Sequence, residues 1–234
     1  MKNVIAAATA LFAASASAHS WLACTDYDNT EMLKWMEGNS TLPFPITIDP
    51  TMPAYANFCK GWPRAKQNPG NWIEESSNYV WNLVANKFNG ETAACHPSQR
   101  SPNQLGGAPR AQAKAGSTIR LMFGGNGHAR GASVGGDPGY VTVYTKGEPE
   151  SDITDLSEFT DENKLQSNGF SAESFAYPAD PNVKSPTQGL QDKGNWQSLQ
   201  LPKAMIPGRH MFVWVWSYEG KDQWSTCFDV DVSE

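Results

Sequence analysis

Long apolar runs are missing after the first 18 residues of this 234-residue chain. No later stretch approaches the roughly 20 apolar residues that a membrane-spanning helix needs. Basic charge is scarce: 18 Lys and Arg stand against 24 Asp and Glu, with a pI near 5.2. Such a balance leaves no electrostatic footprint for nucleic acid or for an anionic membrane, so neither is an expected partner. Cysteine is limited to Cys24, Cys59, Cys95 and Cys227, and no two of them have the close CxxC spacing of a zinc site. No GxSxG nucleophile elbow occurs, and the carboxylates show no pairing that would mark a glycosidase. A hydrolase is therefore not expected. Histidine is rare as well, with only His19, His96, His128 and His210.

What is present begins with residues 1 to 18, one lysine followed by an alanine-rich apolar stretch that ends in Ala-Ser-Ala. This is the pattern of a secretory signal peptide, and it predicts an extracellular protein. A cut after Ala18 makes His19 the first residue of a mature domain over 19–234, whereas a cut after Ala16 would leave it third. Loss of Lys2 with the signal leaves 17 basic against 24 acidic residues, a net charge of −7. Four cysteines behind a secretion signal predict two disulfides, and spacing alone leaves three pairings open. Asn39-Ser40-Thr41 is the single N-glycosylation sequon, meaningful in a eukaryotic host.

The 216 residues after the signal suit one β-rich domain. Residues 19 to 70 are rich in proline and aromatics and read as loops. Residues 72 to 89 are the best helix candidate: Ile73, Val80, Leu83, Val84 and Phe88 recur at helical spacing. Glu74 and Glu75 sit near its positive end, and Asn89-Gly90 provides a stop. Residues 91 to 116 read as a long polar connection. Strands are expected over 117–123, 140–144, 196–201, 210–218 and 224–232, where apolar residues alternate or run together between turn formers. Residues 146 to 195 show little periodicity. Short strands with turns between them predict a mainly β, antiparallel sandwich with long loops and a helical insertion.

A histidine at a mature N-terminus offers two nitrogens, the free α-amine and the imidazole. A second imidazole completes a T-shaped nitrogen set, a geometry that suits Cu(II). His128 lies in GGNGHARG, directly after a strand, where glycines let the loop turn tightly and a rigid sheet can aim the ring. The bland alternative is an exposed loop histidine. His96 reads as exposed in a polar loop, and His210 as an ordinary polar residue at a strand start.

His19 behind a signal, GGNGHARG with the following YVTVYTKG, and the closing FVWVWSYEGKDQWSTCFDVDV together resemble the lytic polysaccharide monooxygenases. They look still closer to secreted fungal relatives that start HSW and end in a WVW strand and a TTC-x-DVDV strand. The resemblance covers the mature start and most of 116–145 and 205–232. It implies an immunoglobulin-like β-sandwich, a monomer, and one copper ion held by His19 and His128. Copper would be reduced by an external electron donor, and dioxygen or hydrogen peroxide would then be used to oxidise a carbon at a glycosidic bond of a polysaccharide. The family's axial tyrosine, three positions before the last cysteine, is Trp224 in this chain. An indole has no oxygen for a metal, although it can shield the axial face. The competing reading of Trp224 is a core tryptophan. Gln223 or Asp222 is the candidate for a polar group beside the bound oxidant. The resemblance also implies the disulfides Cys95–Cys227, clamping the last strand, and Cys24–Cys59. Tyr27, Trp35, Trp62 and Trp72 are candidates for stacking on sugars, with closure of a small side core as the alternative. Two further functions stay open: a secreted copper-binding protein that oxidises nothing, and a metal-free carbohydrate or wall-binding module.

Overall fold

The computed structural model describes residues 20–28, 59–67, 79–123, 139–169, 195–218 and 222–234. Two sheets face each other. The smaller one has the order β1 (Leu22–Cys24), β6 (Thr118–Phe123), β9 (Asn195–Gln200). The larger one runs β4 (Trp81–Asn82), β11 (Asp222–Ser233), β10 (Gly208–Tyr218), β7 (Tyr140–Tyr144), β8 (Lys164–Gly169), with β5 (Ala111–Lys114) also joined to β11. A short ribbon pairs β2 (Asp26–Tyr27) with β3 (Cys59–Gly61). All pairings are antiparallel except β5 with β11, which is parallel. The result is the mainly β, antiparallel sandwich that the alternating strands predict, consistent with the immunoglobulin-like fold that the resemblance implies.

Period-two alternation explains the core. Phe212, Trp214 and Trp216 of β10, with Trp224, Phe228, Val230 and Val232 of β11, face the smaller sheet's Leu22, Ile119, Leu121, Phe123 and Leu199. The rings interlock: Phe212 stacks on Phe228 at 5.2 Å, Phe123 leans on Trp214 at 5.4 Å, and Trp216 stacks on Trp224 at 5.3 Å. Each buried aromatic is worth roughly 3–5 kcal/mol against truncation to alanine. The opposite phase of β10 (Met211, Val213, Val215) packs with Cys227 into a second core under Leu83, Ala94, Cys95 and Ile153. β10 is thus buried on both faces, which accounts for its unbroken apolar run.

The helix is shorter than its periodicity predicts. Residues 72–78, including Glu74 and Glu75, lie outside the described residues. Among the described residues of this segment, Trp81 and Asn82 are strand, paired with Ser225 and Trp224, and α1 (Leu83–Phe88) is helical. Sheet pairing therefore overrides helical spacing there. Asn82 caps α1 by accepting from the Ala85 amide at 2.9 Å, and the stop at Asn89-Gly90 is present, with Gly90 at φ 85°. β5 and β8 fall in segments that read as loops from the sequence. Gly139, just before β7, has φ 78°, and a Cβ there would lie 1.7 Å from the Ser217 carbonyl oxygen. The turn into β7 therefore requires glycine.

Both disulfides join as the resemblance implies: Cys24–Cys59 and Cys95–Cys227. The second lies wholly in the core. A buried ionic knot fastens the 62–66 segment to the last strand. Arg64, itself fully buried, gives Nε to Asp229 Oδ2 at 2.8 Å and Nη2 to Asp229 Oδ1 at 2.6 Å. Arg209 reaches the same Oδ1 at 2.9 Å, and both arginines meet Asp152. Burial works against the charge of Arg209, but the hydrogen bonds it donates to the carboxylates of Asp152, Glu150 and Asp229 hold its pKa above the usual value.

Candidate functional site

One end of the sandwich gathers several strand termini. Leu22, at the start of β1, is the register partner of Phe123, at the end of β6, and Phe123 pairs on its other side with Asn195, the start of β9. In the facing sheet Tyr140 pairs with both Ser217 and Gly169, and Ser217 with Gln223. The Leu22 amide donates to Thr226 Oγ1 of β11 at 3.2 Å, and Phe123 touches Trp214, so the two sets of termini belong to one end. Ser20 and Trp21, just before β1, are buried.

His19 and His128 lie outside the described residues. Among the described residues no group of three or more His, Cys, Asp and Glu could hold a metal ion. Trp224 is 4% exposed, inside the core and stacked on Trp216, and so takes the core position that was its competing reading. Gln223 leaves the opposite face of β11, where its amide donates to Ser217 Oγ at 3.2 Å. The fold therefore brings Gln223 and Trp224 to one strand end but not to one face. The side chain of Asp222 is outside the described residues.

The remaining candidates are also placed. His96 is half-buried rather than freely exposed. It stacks on Tyr79 at 4.7 Å, and its Nδ1 accepts from the Ser98 amide at 3.2 Å. Burial, and then the charge of Arg100, push its pKa down. His210 is fully buried at the other end of β10, its Nε2 2.6 Å from the Ile206 carbonyl oxygen. It is a core histidine rather than an ordinary polar strand start. Tyr27 and Trp62 are buried too, so neither can stack on a sugar. Trp35 and Trp72 lie outside the described residues.

Sequence reasoning missed the partnership of Arg64 with Asp229. The signal was faint but present: Asp229 follows Cys227 in the same phase of β11, and an acid on that buried face needs a cation.

No family model matches this sequence, and no curated protein matches it. Solved structures do. An AA10 lytic polysaccharide monooxygenase from Streptomyces lividans aligns at 15% identity and TM-score 0.34, over 58% of this chain and 69% of its own. A cellulose-active polysaccharide monooxygenase from M. thermophila aligns at 16% and 0.33, over 61% and 62%. LPMO10B from Micromonospora aurantiaca aligns at 17% and 0.36, over 88% and 98%. At scores this low the likenesses assign no chemistry, and the fold rests on the sheets themselves.

Proposed function

We propose that this chain is a secreted copper protein in which His19 and His128 hold one copper ion, and that it cleaves polysaccharide chains oxidatively. The observation that supports this reading is the pairing of Leu22 with Phe123. His19 stands three residues before the first, and His128 five residues after the second. At up to about 3.6 Å per residue, both can reach one point beyond that end of the sheet. Bound copper supplies the one-electron chemistry that activates dioxygen or hydrogen peroxide, with electrons from an external donor. The chain's own contribution is to bind and orient. The His19 amine, ordinarily protonated below about pH 7.7–8.0, must lose its proton to ligate, so affinity falls in acid. The β1–β6 pairing, the Leu22 to Thr226 bond and Cys24–Cys59 fix the strand that leads from His19. The stacked Trp216 and Trp224 form a rigid apolar floor at this end.

Trp224 also favours a second reading, a copper-binding protein without oxidative activity, because its indole offers no oxygen where the resembling family carries a phenol. Copper titration of the processed protein by calorimetry and electron paramagnetic resonance tests both, with His128→Ala alongside. One tight Cu(II) with nitrogen hyperfine coupling, lost in the variant, is expected. Oxidised sugar ends released from cellulose, chitin, hemicellulose or pectin with an added reductant then select the enzyme over the carrier. Binding that the variant leaves unchanged removes both and leaves a metal-free wall-binding module.

A further inference from the structure

On the outer face of the larger sheet lies an open groove of about 660 Å³. That is within the range of small-molecule sites. Its floor is Leu83 and Val215, both buried. Its walls are aromatic. Tyr144 and Phe159, both half-buried, stack on each other at 4.6 Å with rings only 9° from parallel. Across from them Phe88 stands at the end of α1 with 91% of its surface exposed. Phe88 adds a third ring to the lining of the groove. The polar side chains at the groove are those of Gln223, Tyr144 and Lys87, and polar and apolar atoms contribute comparably to its lining. Lys87 is exposed at the rim, and its charge also acts on the Asp155 carboxylate. Nearby acids are already engaged: Asp155 by Thr92 and Ser157, Glu158 by Lys146.

We propose that this groove is a binding site for a small planar aromatic carboxylate. The flat stacked rings of Tyr144 and Phe159 suit an aromatic ring, and the exposed cation of Lys87 suits the acid. A sugar fits worse, because most of its hydroxyls would face Leu83, Val84, Leu156, Phe159 and Val215 without partners. The site goes beyond the copper reading and stands independently of it.

The test uses the full processed protein with chelator present, so that no metal binds the acid. Saturation-transfer NMR and calorimetry are run with 4-hydroxybenzoate and its neutral analogue 4-hydroxybenzamide. Binding of both is expected, with the acid preferred by about two- to fivefold, the scale of one exposed ion pair. Phe88→Ala should weaken both by roughly tenfold. Lys87→Gln should abolish only the preference. Both positions are exposed, so neither variant threatens the fold. Absence of binding, unchanged affinity in Phe88→Ala, or binding of a soluble cello- or chito-oligosaccharide in place of the acid overturns the proposal.

Discussion

Neutralising Asp229 should be among the most damaging single changes in this protein. Its carboxylate is fully buried and accepts three charge-assisted bonds, two from Arg64 and one from Arg209. Asp229→Asn keeps the shape but replaces one acceptor oxygen with a donor that faces a guanidinium N–H. One bond becomes a donor–donor conflict and the rest lose their charge. Asp152 still partners both arginines, so neither is wholly abandoned. Breaking one side of a buried pair costs about 3–5 kcal/mol. Against a total of about 5–15 kcal/mol this is a large fraction. With a urea slope of about 2 kcal/mol per molar, the midpoint should fall by about 2 M, read by tryptophan fluorescence. The exposed end of the same knot is the internal control, because Glu150 is 69% exposed on its side chain. Glu150→Gln should cost less than about 1 kcal/mol. An Asp229→Asn midpoint no lower than that of Glu150→Gln would refute the reasoning and mean that the knot is hydrated or free to relax.

Two further outcomes follow from the same structure. Burial lowers the pKa of Lys66 from 10.5 to about 7. Between those values the unfolded chain holds more protons than the folded one, so stability should rise with pH across that window. Lys66→Met should flatten the rise, and urea midpoints with unchanged pH dependence would count against it. Removing the disulfides should rank by loop length: separations of 132 and 35 residues predict losses of about 5 kcal/mol for Cys95–Cys227 and about 4 kcal/mol for Cys24–Cys59. Paired serine variants compared by urea unfolding check the order, and a costlier Cys24–Cys59 would reverse it.

The sequence was most legible where a strand is buried on at least one face. The apolar run of β10 and the alternation of β6 and β11 declare themselves. β8, with the sequence KLQSNG, has no buried phase, its residues being exposed or half-exposed. An edge strand of that kind carries no hydrophobic period and reads as loop. β5, AQAK, has only alanines to offer, and its pairing with β11 is set by a partner over a hundred residues away. Trp81 and Asn82 read as helix because Val80, Leu83 and Val84 happen to fall at helical spacing, while their pairing with β11 is non-local. At the candidate site His19 and His128 are singled out by chain position and by motif alone, and both lie outside the described residues. Trp224 illustrates the limit: its position in the chain suggests a role, whereas its burial depends on Trp216, which only pairing brings beside it.

The bond from Leu22 to Thr226 spans 204 residues of sequence. A chain that emerges from the ribosome or a translocon in order therefore makes its first strand long before it makes that strand's anchors. β6 arrives about a hundred residues later, and β11 only in the last dozen. Contacts of such separation form late, because the loop entropy must be met before they can contribute. β1 is thus completed only by strands far downstream. A nascent chain halted before β11 would have β1 paired with β6 but without its Thr226 anchor.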